Sequence, residues 1–230
     1  MLLDIICFSH AGGSSLSFYN YIKSAKELNL RIIPIDYPGH GLNKDIERAK
    51  CLNELISFIY EKLMELNISK DYILFGHSMG SIVAYELNKL LYNNKKNVPH
   101  CLILSGINPK DEVSNSKKQR LYKDLLLKDD NEMFASLNKL IIDDINLIRN
   151  YTFEKNNNSN QKIYVLNSVE DKLINPSEEK YWFDISKNIE LVKFNGEHNY
   201  IYEEYAIRRV LDICSKEFQN DNKEGNDDKR

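Results

Sequence analysis

The segment GHSMG, residues 76–80, places Ser78 between two glycines. It follows the apolar run YILFG and precedes residues with helical spacing, so the serine falls where a strand becomes a helix. A nucleophilic serine on a strained turn needs glycines at these two positions, because a Cβ there would collide with the neighbouring strand and helix. The start of the helix behind Ser78 would favour developing negative charge. The spacing is therefore typical of a serine nucleophile.

Two other interpretations of this turn have to be weighed. A phosphate-binding loop would need G-x-x-x-x-G-K-[ST] or G-x-G-x-x-G, and neither pattern occurs at this turn. A turn that serves packing alone stays possible unless a base and an acid for Ser78 are found elsewhere in the chain.

A base for Ser78 has to come from the five histidines of the chain, which are His10, His40, His77, His100 and His198. Where a serine occupies this kind of turn, the chain order is serine, acid, histidine, and the histidine follows the last strand. His198, in the segment FNGEHNYIY, is the histidine that meets this condition. The alternative is a loop histidine with no role.

The acid that would orient His198 is predicted to be Asp171, in the segment NSVEDKLINP. This segment follows the apolar run KIYVLN and precedes a helix that starts after Pro176, which is where such an acid is expected. Glu170 and Asp111 are the alternatives, and each is more simply a solvated loop charge.

A tetrahedral oxyanion would need two backbone donors. One is expected from the N–H of Met79, the residue after the nucleophile, and the other from the N–H of Ala11 in the early loop FSHAGGSSLSF. His10, Gly12 and His77 are the predicted substrate-binding residues, although a structural hydrogen bond is an equally good interpretation of His10. The chemistry requires no metal and no bound cofactor.

Six short apolar runs alternate with helical patterns and predict the elements that position these residues. Their nearly continuous apolar character is typical of strands covered on both faces, as in a parallel sheet. We therefore expect an α/β fold with a mostly parallel central sheet and helices on both faces. The predicted strands span residues 2–8, 31–36, 72–76, 100–105, 162–167 and 189–194.

The alternation is interrupted between the fourth and fifth runs, where only helical patterns occur. We predict a core of residues 1–112 and 160–216, forming a single domain, with a helical lid inserted at 113–159. Two ordinary crossover helices are the alternative interpretation. Residues 217–230 carry one aromatic side chain and no periodicity, which indicates a disordered tail.

Composition excludes several classes of function. The chain has 230 residues, a formal net charge of −3 and no basic face, so neither nucleic acid nor an anionic membrane is expected as a partner. No apolar stretch approaches the roughly 20 residues that span a bilayer. The N-terminal residues look like a strand and not a signal peptide. We expect a cytoplasmic protein with buried, reduced cysteines. We also expect a monomer.

Five motifs in order, FSHAGG, DYPGHG, GHSMG, EDKLINP and GEHNY, resemble those of the type II thioesterases that accompany nonribosomal peptide and polyketide synthetases. The resemblance covers residues 4–214. It implies an α/β-hydrolase fold with a helical lid. It also implies hydrolysis of acyl or aminoacyl groups from the phosphopantetheine arm of carrier proteins, which clears misprimed or stalled modules. On this resemblance the arm belongs to the partner protein.

The resemblance assigns Ser78 as nucleophile, Asp171 as acid, His198 as base, and Ala11 and Met79 as oxyanion donors. A small-molecule carboxylesterase or lipase would use the same three side chains, and an acyltransferase would differ in its acceptor. A non-catalytic binding protein of the same fold is the alternative from a different class, because a fold does not by itself establish an activity.

Overall fold

The computed structural model describes residues 2–109, 126, 132–155 and 160–227. Six parallel strands form one sheet in the order β2-β1-β3-β4-β5-β6. They are β1 (Leu3–Phe8), β2 (Leu30–Pro34), β3 (Tyr72–His77), β4 (Cys101–Ser105), β5 (Lys162–Ser168) and β6 (Ile189–Phe194). Each coincides with a predicted apolar run, so the predicted parallel α/β sheet is confirmed.

Six helices accompany the sheet in the described part of the chain. They are α1 (Tyr19–Ser24), α2 (Leu52–Glu65), α3 (Met79–Asn93), α4 (Glu132–Ile148), α5 (Trp182–Ile185) and α6 (Glu204–Asp227). Short 3-10 turns join them, including Ser15–Phe18 and His198–Tyr202. No described helix combines the length and the apolar character needed to cross a membrane.

The central strands are buried on both faces because helices cover both sides of the sheet. Side chains of β1 alternate between two cores: Ile6 and Phe8 lie in one, and Ile5 and Cys7 lie in the other. The first core contains the buried side chains of α2 and α3, and the second contains those of α1 and α6. This two-sided burial explains why the strands have continuous apolar sequences. Of the four cysteines, Cys51 is exposed, contrary to the prediction that all are buried.

Helix α4 lies within the predicted lid of residues 113–159. It contacts α3, and Leu147 and Ile148 pack against the first core, so this helix is joined to the rest of the molecule by apolar packing. The helical pattern predicted here is confirmed by α4. Residues 113–125, 127–131 and 156–159 lie outside the described residues, and the division into core and lid stays a prediction.

The predicted disordered tail begins too early. Helix α6 continues through residue 217, and the Glu217 side chain is buried, where it accepts hydrogen bonds from Lys162 Nζ at 2.7 Å and Tyr164 OH at 2.6 Å. Phe218 packs against the second core. Burial would raise the pKa of the Glu217 carboxyl, but Lys162 and Tyr164 outweigh it, and the pKa is lowered. A charged residue held in this way interrupts the apolar periodicity of the helix, and the prediction of disorder was based on the absence of that periodicity.

Candidate active site

The turn that carries Ser78 connects β3 to α3. Ser78 has φ 55° and ψ −118°, a conformation that is strained for a residue with a Cβ and that is typical of a nucleophile turn. A Cβ on Gly76 would lie 2.0 Å from the carbonyl oxygen of Gly80, and one on Gly80 would lie 2.1 Å from that of Phe8. The two glycines are therefore required for the close approach of β1, the turn and α3. The Ser78 N–H donates to the Ser105 carbonyl at 2.7 Å, which ties the turn to β4.

Asp171 and His198, predicted from separate loops, are in direct contact. His198 Nδ1 lies 2.7 Å from Asp171 Oδ2, and the Asp171 side chain is completely buried. The other oxygen, Oδ1, accepts the Leu173 N–H at 2.9 Å, which orients the carboxylate. Since a carboxylate accepts, Nδ1 carries the proton and Nε2 is left with its lone pair.

The Nε2 atom of His198 is buried and has no hydrogen-bond partner among the described residues. His198 and Ser78 both line one cavity of about 80 Å³. An imidazole with an unengaged acceptor nitrogen thus lines the same cavity as the serine. This arrangement can remove a proton from a hydroxyl group.

The same cavity has a mixed lining beyond these two residues. Its described wall contains apolar side chains from α3, from the segment after β4 and from the end of α4, together with polar side chains of Asn108, Arg149 and Glu178. The apolar members include Ile82, Ile107, Ile148, Tyr151 and Phe153. Helix α4 and the residues that follow it therefore contribute to the cavity as well as to the core.

The two alternative acids differ in position. Glu170 is exposed, and its carboxylate accepts the Gly196 N–H at 3.2 Å instead of contacting the imidazole. Asp111 lies outside the described residues. In the described part of the chain, Asp171 is the carboxylate that His198 Nδ1 contacts.

His77 does not reach the cavity, which contradicts its predicted contact with substrate. Its side chain is completely buried, with its ring centroid 5.0 Å from that of His198 and its Nδ1 3.0 Å from Ser105 Oγ. Burial, together with the neighbouring His198 and His10, holds the pKa of His77 well below its ordinary value. His77 is therefore a neutral side chain beneath the site.

The predicted oxyanion donors occupy two separate elements. Met79 is the first residue of α3, where backbone N–H groups have no partner within the helix. Ala11 lies in the loop of residues 9–15, which follows β1, and it packs against the first core. The geometry is compatible with the two predicted roles, which stay predictions.

The loop of residues 9–15 holds two further predicted substrate-binding residues. His10 Nδ1 lies 2.9 Å from Tyr202 OH, and burial, with His198 nearby, lowers the pKa of His10 to about 4. The structural interpretation of His10 therefore matches its position. The Gly12 N–H is already engaged, because it donates to Asp144 Oδ2 at 2.7 Å. This bond leaves the Gly12 N–H occupied by the protein itself.

Sequence reasoning missed the residues that hold this loop, above all Asp144 on α4 and His40 in the segment after β2. A signal was present for Asp144, because Leu140, Asp144 and Ile148 recur at four-residue steps and so share one face of the helix. A carboxylate on an otherwise apolar face indicates a specific buried partner. The described residues include no group of three or more histidine, cysteine, aspartate or glutamate side chains suited to a metal ion.

A model of the thioesterase domain matches residues 4–218. A probable cadicidin biosynthesis thioesterase of Streptomyces griseus is 30% identical over 139 residues, which are 59% of this chain and 35% of the relative. The medium-chain S-acyl fatty acid synthase thioesterase of Homo sapiens is 28% identical over 120 residues, 52% of this chain and 44% of the relative. The matches thus span less than half the length of these curated relatives.

Solved structures resemble the whole architecture. ClbQ from the colibactin nonribosomal peptide/polyketide pathway superposes with a TM-score of 0.83 at 18% identity, covering 96% of this chain and 98% of ClbQ. RedJ from the prodiginine pathway of Streptomyces coelicolor gives a TM-score of 0.78 at 21% identity, covering 94% of this chain and 85% of RedJ. At such identities the likeness concerns the fold, which is that of the α/β-hydrolases.

Proposed function

The chain belongs to the thioesterase family, and from this premise we propose that it hydrolyses acyl or aminoacyl thioesters on the phosphopantetheine arm of carrier proteins. The relatives and structural neighbours named for synthetase pathways support the choice of substrate class. In this proposal the protein removes misprimed or stalled groups from a synthetase. It needs no cofactor of its own, because the arm is part of the substrate.

One observation carries the proposal. The Asp171 carboxylate holds His198 Nδ1 at 2.7 Å while the buried Nε2 has no partner among the described residues, on the cavity that Ser78 also lines. An imidazole oriented in this way is the base that a serine hydroxyl requires to become a nucleophile.

The proposed reaction has two steps. His198 Nε2 takes the proton of Ser78 Oγ as that oxygen attacks the thioester carbonyl, and the N–H groups of Met79 and Ala11 stabilise the oxyanion. Collapse breaks the C–S bond, and the imidazolium returns the proton to the pantetheine sulfur, which leaves an acyl-serine. A water molecule, deprotonated by His198, then attacks this ester, and the acid and free Ser78 hydroxyl are released.

The direct test compares the wild-type protein with Ser78→Ala on an acyl-carrier protein, with release of free thiol and acid as the readout. Ser177→Ala is the matched control, because the Ser177 hydroxyl is exposed and its hydrogen-bond partner among the described residues is the Asn175 side chain of its own turn. Loss of turnover in Ser78→Ala alone, with an acyl adduct on the wild-type Ser78 peptide after acid quenching, supports the proposal. Wild-type rates in Ser78→Ala would rule out Ser78 as the nucleophile.

The substrate class is tested separately with carrier-bound acyl groups, free acyl-pantetheine and small oxygen esters. A kcat/KM that is highest for the carrier-bound thioester supports the proposed substrate. A kcat/KM that is highest for small oxygen esters would instead assign the same three side chains to a carboxylesterase.

A further inference from the structure

The ends of the loop of residues 9–15 are both held by the segment that follows β2. The Ser9 carbonyl accepts the Tyr37 hydroxyl at 2.7 Å. The Asp36 carboxylate accepts the Ser15 N–H at 2.6 Å and the Ser15 hydroxyl at 3.0 Å. The middle of the loop, which contains the proposed donor Ala11, therefore needs a separate support.

Helix α4 supplies that support through Asp144. Its Oδ2 accepts the Gly12 N–H at 2.7 Å and faces His40 Nε2 at 2.9 Å, and both side chains are buried. The other ring nitrogen, His40 Nδ1, lies 3.0 Å from the Pro38 carbonyl, so each nitrogen of His40 faces an acceptor. A buried carboxylate is costly unless hydrogen bonds satisfy it, and here both partners belong to segments remote in sequence.

Apolar packing reinforces this contact from the same helix. Gly12 has φ 75°, and a Cβ there would lie 2.3 Å from Cγ1 of Ile141, one turn before Asp144 on α4. The helix therefore touches the loop closely enough to exclude any other side chain at this position. Gly12 is required both by its backbone conformation and by the approach of α4.

Two planar peptide groups then determine the direction of the Ala11 N–H. The N–H of Ala11 lies in one plane with the His10 carbonyl and points the opposite way, and that carbonyl accepts the Gly13 N–H at 2.9 Å. The next peptide plane carries the Gly12 N–H, which Asp144 holds. With both planes fixed, the φ and ψ of Ala11 between them are fixed as well.

We propose that Asp144 is a positioning residue for the oxyanion hole: by holding the Gly12 N–H, it aims the Ala11 N–H at the reacting carbonyl oxygen. The inserted helix is thus a structural requirement of the reaction in addition to a wall of the cavity. This inference rests on the proposed function, since it concerns the second oxyanion donor. A donor misplaced by about 1 Å costs on the order of 100-fold in rate.

The test replaces Asp144 by Leu, which keeps similar bulk and removes the acceptor, and by Asn, whose Oδ1 can occupy the same place. Asp144→Ser is made in parallel, because its small polar side chain leaves room for water beside His40. We expect kcat for an acyl-pantetheine thioester to fall by about 10- to 100-fold in Asp144→Leu and Asp144→Ser. KM should change little, and Asp144→Asn should recover most of the loss.

Asp143→Leu is the matched control. Asp143 is adjacent on α4 and pairs with Arg48, another residue of the segment after β2, so its removal also breaks a charged link between these elements. Both side chains of that pair are partly exposed, and the pair does not involve Gly12. Asp143→Leu should therefore leave kcat within about twofold of the wild type.

Two measurements separate positioning from a general structural role. Active-site titration with a fluorophosphonate counts the competent enzyme, so that kcat refers to folded protein alone. The Ki of a trifluoromethyl ketone, which forms an oxyanion adduct with the serine, should rise by the same factor as kcat/KM falls. A purely structural role would reduce the titrated fraction and leave the Ki unchanged.

Several results would overturn the inference. One is a titrated kcat and Ki in Asp144→Leu and Asp144→Ser equal to those of the wild type, and another is an equal loss in Asp143→Leu. Failure of Asp144→Asn to recover activity would also contradict it. If the wild-type protein itself does not hydrolyse thioesters, the proposed function fails instead, and the two failures are therefore distinguishable.

Discussion

Asp171 and His198 are held by residues close to them along the chain, whereas the loop of residues 9–15 is held by residues from distant segments. The acid and the base are separated by 27 positions and follow the adjacent strands β5 and β6. The Ser168 hydroxyl, at the end of β5, donates to the Gly196 carbonyl after β6, which ties the two loops together. By contrast, the Gly12–Asp144 bond joins residues 132 positions apart.

This difference shows that the two halves of the site depend on different parts of the fold. Parallel strands end at one edge of the sheet, so the adjacency of β5 and β6 brings the acid and base loops together at the edge where β3 also ends. The oxyanion side also needs α4, which packs against α3 and the first core and hydrogen-bonds to Gly12 and His40. Changes in α4 should therefore affect one half of the site and leave the other intact.

The largest expected effect belongs to the acid–base half. Asp171→Asn should lower kcat about 10⁴-fold, because an amide can hold the imidazole in the wrong tautomer, with its proton on Nε2, the atom that has to accept the proton of Ser78 in the proposed reaction. Glu170→Gln is the control, since Glu170 is exposed and does not contact the imidazole. Turnover of an acyl-carrier protein measures both. A loss below tenfold in Asp171→Asn would assign the acid to another residue, and Asp111→Asn would then be the next variant to measure.

Gly80→Ala should disturb both halves at once. The added Cβ would lie 2.1 Å from the Phe8 carbonyl oxygen, so β1 and α3 would have to separate, and both the Ser78 turn and the start of the loop of residues 9–15 would shift. We expect a loss of about 1–3 kcal/mol in the free energy of unfolding, as for other overpacked sites. Urea denaturation measures it, together with kcat on titrated enzyme.

A gain in stability in Gly80→Ala would contradict this prediction. Alanine is favoured over glycine in a helix by at most about 1 kcal/mol. Gly80 is the second residue of α3, so Gly80→Ala would stabilise the protein slightly if the approach of β1 were unimportant. Such a stabilisation would contradict the close packing on which the comparison of the two halves depends.

The acid–base half could be predicted from the sequence because its determinants are local. Ser78 lies between two glycines, a spacing that is typical of a tight turn between a strand and a helix. Asp171 and His198 follow apolar runs that predict strands. Once those strands are parallel neighbours, the contact between the two side chains follows. The same reasoning located five apolar strands besides β3, since burial on both faces leaves a continuous apolar sequence.

The oxyanion half could not be predicted in the same way. The apolar face around Asp144 indicates a buried partner, but the two partners lie 132 and 104 positions away, and no local pattern identifies them. His77 adjoins the nucleophile in sequence, yet its ring is packed among the side chains of His10, His198 and Tyr202. Glu217 similarly has its partners on β5, so a buried residue was taken for a solvated one.

The pH dependence of the free energy of unfolding should show that His10, in the loop of residues 9–15, is buried in its neutral form. Because burial lowers the pKa of His10 from 6.5 to about 4, the folded protein binds fewer protons than the unfolded chain between these two values. The contribution of His10 to the free energy of unfolding is complete above pH 6.5 and is lost as the pH falls towards 4. Each proton contributes a slope of about 1.4 kcal/mol per pH unit.

Urea denaturation at several pH values between 4 and 7 measures this slope in the wild type and in His10→Gln. The buried His77, whose pKa is also lowered, contributes a slope of the same sign that remains in the variant. His10→Gln should therefore reduce the slope of the free energy of unfolding against pH by an amount equivalent to at most one proton, and the slope due to His77 should remain. Equal slopes in the two proteins would show that His10 is not the group that resists protonation.

The smallest effect is expected on removing the hydrogen bond between His10 Nδ1, in the loop of residues 9–15, and the Tyr202 hydroxyl at 2.9 Å. Tyr202→Phe keeps the ring packing against His10, Phe18 and His77 and removes only the hydroxyl. We expect a loss of about 0.5–1.5 kcal/mol in the free energy of unfolding, the usual contribution of one hydrogen bond. The kcat should fall less than tenfold, because Tyr37, Asp36 and Asp144 still hold the loop. A larger loss of kcat, as large as that in Asp144→Leu, would mean that the loop is positioned from the α6 side of the sheet, and the contrast between the two halves would then disappear.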